Sequence, residues 1–101
     1  MGSHPVFPFG VHYQIAKDQY IDFTFFSSPK MGEKAQRDGI ENIITRKVFQ
    51  YTAASTSGLL IDVGMNYGFL SSAWASALPN LKIIGFEVSP DLIEAVRKTI
   101  Y

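Results

Sequence analysis

Leu59-Leu60-Ile61-Asp62-Val63-Gly64-Met65-Asn66-Tyr67-Gly68-Phe69-Leu70 decides the fold of this chain. Its first five residues are a short, nearly all-apolar run, the composition of a parallel strand covered on both faces. A glycine-bearing turn follows at Gly64–Gly68. Phe69, Leu70, Ala73, Trp74, Ala77 and Leu78 then recur as one helical stripe, with Ser72, Ala75 and Ser76 on the opposite side. Pro79-Asn80 stops that helix, and Leu81–Phe86 is a second strand ending at Glu87. A last helix begins with Ser89 as cap, Pro90 at the first helical position and Asp91 against the positive helix end. Leu92, Ile93, Val96 and Ile100 form its apolar stripe. The order β-α-β-α predicts parallel strands joined by a right-handed crossover.

Upstream, two extended runs, Val11–Ile15 and Tyr20–Phe26, flank the polar Lys17-Asp18-Gln19 and predict a β-hairpin. Pro29 closes it by pushing the preceding residue out of helical space. Met31–Arg37 is either a short helix or a loop. Asp38 and Glu41 have the spacing of a capping box, and Ile40, Ile43, Ile44, Val48 and Tyr51 then share a helical face. Ala53–Gly58 turns the chain. Trp74 and the aromatics Phe7, Phe9, Tyr13, Tyr20, Phe23, Phe25 and Phe26 are expected in the core rather than on a substrate platform. Arg46, Lys47, Arg97 and Lys98 are expected on solvated helix faces.

The chain has 101 residues, with nine Lys and Arg against nine Asp and Glu, and 47% hydrophobic residues. That balance predicts a folded chain, one domain in size, with no bulk electrostatic attraction for nucleic acid or an anionic membrane. Without cysteine there are no disulfides, thiolate metal sites or thiol nucleophiles. His4 and His12 lack ligand spacing, so no metal site is expected. No apolar run approaches the roughly 18–20 residues that span a bilayer, and the N-terminal stretch does not read as a secretory signal. A cytoplasmic location is the default. Met1-Gly2-Ser3-His4 reads as a cloning remnant.

The chemistry is concentrated in Asp62-Val63-Gly64-Met65-Asn66-Tyr67-Gly68 and Glu87. A strand delivers a glycine turn at its carboxyl end and a helix leaves from it, the crevice in which open α/β sheets bind ligands. Glu87, at the tip of the next strand, is placed to accept hydrogen bonds from two adjacent ribose hydroxyls. A dinucleotide fingerprint, G-x-G-x-x-G, fails at Asn66 and Phe69, and no lysine follows Gly68 as a phosphate loop requires. The turn that remains suits an amino-acid-bearing nucleoside without a pyrophosphate, which favours S-adenosylmethionine.

Residues 61–71, with Gly85-Phe86-Glu87-Val88-Ser89-Pro90, resemble the FkbM family of S-adenosylmethionine-dependent methyltransferases. Asn66 and Ser71 match the family's asparagine and serine, while Val88 stands where the family usually has proline. The resemblance covers Leu59 to Ile100. It implies that Asp62 holds the methionine end, directly or through water, and that Gly64, Met65, Asn66 and Gly68 pass beneath it. It implies further that Glu87 takes the ribose hydroxyls and Val88 packs on the adenine. The implied reaction is methyl transfer to a small-molecule or sugar-type acceptor, most readily at oxygen. Neither the general base nor the acceptor is legible.

The expected architecture is α/β: an N-terminal hairpin and helix over residues 1–57, then the first half of a Rossmann-like cofactor domain over 58–101. A full methyltransferase sheet has about seven strands, so the chain is expected to be an N-terminal portion, inactive alone. One edge of Leu59–Val63 is then unpaired unless the hairpin covers it. Two other readings stay open: a non-catalytic nucleoside-binding or interaction module, and a half-domain of an NAD-dependent oxidoreductase.

Overall fold

Alternating apolar residues and a polar two-residue turn form the N-terminal hairpin in the computed structural model, which describes residues 5–55 and 57–100, the side chain of Ile100 excepted. The proposed cloning remnant, residues 1–4, lies outside the described residues, as does the Ile100 side chain of the expected last stripe. Strands β1 (Phe7–Ala16) and β2 (Gln19–Ser27) pair antiparallel, Val11 opposite Phe23 and Tyr13 opposite Ile21. The inner face buries Val11, Tyr13, Ile15, Ile21 and Phe25, the last completely. Phe7 and Tyr20 are about half exposed, so the hairpin's aromatics divide between core and surface. On the outer face Tyr20 stacks on His12, whose Nδ1 lies 2.6 Å from Asp22.

Helix α1 (Pro29–Arg37) resolves the choice left open upstream: the segment is helical, with Pro29 in its first turn. Asp38 is its C-terminal cap, and its backbone N–H donates to Lys34 O. The predicted capping box therefore does not form. Asp38 ends one helix, and Glu41, in the left-handed region at φ 47°, precedes the next, α2 (Asn42–Thr52), without a side-chain cap.

The expected apolar face of α2 holds only in part: Ile40 and Val48 pack against the core, and the rest of it does not. Ile43, Ile44 and Tyr51 are exposed, Ile43 at 80%, while Thr45 and Phe49 are buried. The helix docks through Phe49 and Val48 together with polar anchors. Asn42 Oδ1 accepts from the Tyr13 hydroxyl at 2.9 Å, the Thr45 carbonyl accepts from the Trp74 indole N–H at 3.0 Å, and Arg46 Nε donates to Gln14 O at 2.9 Å. Asn42, Thr45, Arg46 and Phe49 fall at i, i+3, i+4 and i+7, one helical face. Satisfying buried donors there turns the isoleucines outward. Arg46 lies over the Tyr13 ring as well while staying exposed, as expected.

The C-terminal part follows the predicted order. Parallel strands β3 (Leu59–Val63) and β4 (Lys82–Phe86) pair Leu60 with Ile83 and Asp62 with Gly85. Helices α3 (Phe69–Ala77) and α4 (Pro90–Ile100) follow them. The chain is thus mixed α/β, with four helices and two separate two-stranded sheets among the described residues.

Phe69 joins the halves. Its buried ring makes edge contacts with Tyr13, Phe23 and Phe25 of the hairpin, centroids 5.4–5.5 Å away. Ser72, expected opposite the apolar stripe of α3, is buried with its hydroxyl unpartnered among the described residues. The hairpin also meets α4, where the Phe26 N–H donates to Thr99 Oγ1 at 3.0 Å. It packs on helices and does not extend the β3–β4 sheet. Leu59, Ile61, Val63 and Phe86 lie exposed on one sheet face, Val63 at 79%. The double covering predicted from the composition of β3 is therefore absent among the described residues.

Candidate functional site

The β3–α3 turn is built by backbone geometry. Gly64 (φ 71°), Asn66 (φ 57°) and Gly68 (φ 79°) all occupy the left-handed region. Asparagine tolerates that region because its side chain can bond locally, and here Asn66 Oδ1 accepts from the Tyr67 N–H at 2.8 Å. The N–H groups of Gly64 and Met65 donate to Phe86 O at 2.8 and 3.0 Å, hooking the turn onto the end of β4. The Met65 side chain lies against Gly85.

The two turn glycines differ. A Cβ on Gly64 meets nothing within 4 Å, so its outer side is open to a ligand. A Cβ on Gly68 lies 3.0 Å from Val96 Cγ2. What approaches Gly68 is therefore α4, whereas the resemblance implies that the cofactor lies above it.

Glu87, at the tip of β4, clips two turns together. Its Oε1 accepts from the Asn66 N–H at 2.9 Å, and its Oε2 accepts from Val88 at 2.9 Å and Ser89 at 3.1 Å. The Ser89 and Asn66 N–H groups, with a smaller part from Val88, hold its carboxyl below the usual carboxylate range against weak desolvation. A carboxylate offers about four lone-pair sites. Three are used, leaving about one for an external donor where the sequence reading expects two ribose hydroxyls. Val88 is 96% exposed beside it, an unpacked apolar surface next to the carboxylate.

Asp62 sits on the inner side of β3, where its Oδ2 accepts from the Ser71 hydroxyl at 2.6 Å. It opens into a cavity of about 250 Å³ between the turn and the hairpin half. Asp62, Gly64, Met65, Asn66, Tyr67 and Leu70 line one part of it, Met31, Ile40 and Glu41 another, with Phe25 and Phe69 between. Four expected site residues, Asp62, Gly64, Met65 and Asn66, therefore share one cavity. Gly68, Glu87 and Val88 are outside it, Glu87 being tied to the turn from the β4 side.

Sequence reasoning did not single out Met31, Ile40 or Glu41 as site residues. Only the packing of α1 and the α1–α2 linker near the β3–α3 turn brings them there, and no local pattern carries that information. Among the described residues there is no cluster of three metal-ligating side chains, and no helix is long and apolar enough to cross a membrane. The chain matches no family model, no curated protein and no solved structure.

Proposed function

We propose that the chain binds S-adenosylmethionine at the β3–α3 turn, in a Rossmann-like half-sheet, and serves a methyltransferase of the FkbM kind. The observation that carries this reading is the Glu87 clip: a carboxylate at the tip of β4, bonded to the backbone of a left-handed glycine turn at the tip of β3. A carboxylate at the tip of the strand that follows a glycine turn is where open α/β sheets hold a ribose, and the clip leaves Glu87 about one lone-pair site for it.

The residues present fit the cofactor. The space over Gly64 is open, the cavity beside Asp62 is apolar with polar groups, and exposed Val88 offers a face for a base. When bound, S-adenosylmethionine supplies an activated methyl group. The chain's own residues bind and orient it and exclude water through the aromatic floor of Phe25 and Phe69. The acceptor class proposed is a hydroxyl-bearing small molecule or sugar, in the cytoplasm.

Phe69 argues against the dinucleotide alternative. Its ring fills the hairpin core, so the helix start lacks the small third residue that a dinucleotide turn uses. Calorimetric titration with S-adenosylhomocysteine and with NAD tests the reading. Saturable binding of the first, at least about tenfold tighter than the second, is expected. Equal affinity, or NAD alone, contradicts it.

A further inference from the structure

We infer that Glu41, in the linker between α1 and α2, is a cofactor-contacting residue that receives the ammonium group of the amino-acid end. The inference rests on the cofactor reading above and extends the site to a part of the chain outside the β-α-β-α unit. Glu41 lines the same cavity as Asp62 although 21 positions separate them in sequence. Its backbone carbonyl accepts the first bond of α2, from the Thr45 N–H. Its carboxylate makes no hydrogen bond or ion pair among the described residues.

The cavity's chemistry selects the ligand group. Its lining includes two acidic residues, the exposed Glu41 and the half-buried Asp62, and no lysine, arginine or histidine. Asp62 has one oxygen committed to Ser71. The remaining surface is largely aliphatic and aromatic, so the matching ligand is a cation on a short apolar chain. An ammonium carries three donors and no acceptor, which suits two carboxylates with free lone pairs. The adjoining carboxylate of the amino-acid end has a donor in Asn66 Nδ2, since only Oδ1 of that amide is taken by Tyr67.

Size points the same way. At about 250 Å³ the cavity is smaller than the roughly 300–1,000 Å³ that takes a whole drug-sized ligand. It suits the amino-acid end alone, with the nucleoside outside, toward Glu87 and Val88. The left-handed backbone of Glu41 (φ 47°, ψ 52°) is a conformation in which glycine is at ease and glutamate is not, which separates a binding role from a structural one.

Calorimetry with two ligands tests the assignment: S-adenosylhomocysteine, which has the amino-acid end, and 5′-methylthioadenosine, which keeps the nucleoside and lacks that end. Glu41→Gln is expected to weaken S-adenosylhomocysteine about tenfold or more and leave 5′-methylthioadenosine unchanged. Glu41→Gly is expected to raise the melting temperature and still weaken S-adenosylhomocysteine, an outcome that a merely structural Glu41 does not produce. Wild-type affinity in both variants, or equal weakening of both ligands, overturns the role of Glu41 while the cofactor reading stands. Failure of the wild-type chain to bind either ligand overturns both.

Discussion

The backbone N–H of Asn66 donates to Glu87 Oε1 at 2.9 Å, so the turn after β3 and the turn after β4 are held by one carboxylate. Glu87 also accepts from Val88 and Ser89. The same side chain that we propose holds the ribose thus also fixes the loop proposed to lie beneath the cofactor, so its removal is expected to disturb both.

Glu87→Ala is therefore expected to weaken S-adenosylhomocysteine about 10- to 100-fold and also to lower the melting temperature. Because the folded carboxyl titrates below its ordinary range, its contribution to stability is complete above the unfolded glutamate value of about 4.3. It is lost as pH falls through the lower folded value. Thermal melts from pH 7 to 3 are expected to show this loss in wild type and a flatter acid limb in Glu87→Gln.

Gly64→Ala and Gly68→Ala separate binding from packing. Each puts a side chain into left-handed backbone, at about 1–2 kcal/mol. Only Gly68→Ala also presses on Val96, adding about 1–3 kcal/mol. Gly68→Ala is expected to melt several degrees lower than Gly64→Ala, whereas Gly64→Ala loses cofactor affinity at smaller cost in stability. Paired melting and titration experiments check the order.

Ser72 and Trp74, on the same helix, are expected to respond oppositely. Ser72 buries a hydroxyl without a partner among the described residues, so Ser72→Ala is expected to be neutral or to stabilise by up to about 1 kcal/mol. Trp74→Phe removes the indole donor to the Thr45 carbonyl and is expected to cost about 1–3 kcal/mol. Denaturant unfolding measures both.

Leu59, Ile61, Val63 and Phe86 form an exposed apolar sheet face, and such patches drive association. Light scattering at tens of micromolar is expected to detect species larger than a monomer. Ile61→Lys with Val63→Lys is expected to reduce them without lowering the melting temperature. A sharp monomer in wild type contradicts this.

The β-α-β-α order was legible because each element carries its own signal: an apolar run, a glycine turn, a Pro79-Asn80 stop and a Ser89-Pro90 start. The hairpin was legible for the same reason, since alternation and a polar turn are local. The docking face of α2 was not. A hydrophobic stripe assumes that burial chooses the face, whereas Tyr13, Trp74 and Gln14 recruit Asn42, Thr45 and Arg46 by hydrogen bonding across 29 to 32 positions. Asp38 and Glu41 have capping-box spacing, yet a helix end and the left-handed Gly39 intervene, and Glu41 is itself left-handed. Within the site, the sequence located the turn and Glu87. The cavity escaped it because Met31, Ile40 and Glu41 share a cavity with Asp62 only through tertiary packing.

An amide-resolved NMR titration with S-adenosylhomocysteine tests most directly whether the β3–α3 turn is a nucleoside site. Saturable shifts are expected at Gly64, Met65 and Asn66 and at Val88 and Ser89, with the outer hairpin residues His12, Asp22 and Thr24 unmoved. No saturable shift at millimolar ligand, or shifts confined to the hairpin surface, would contradict it.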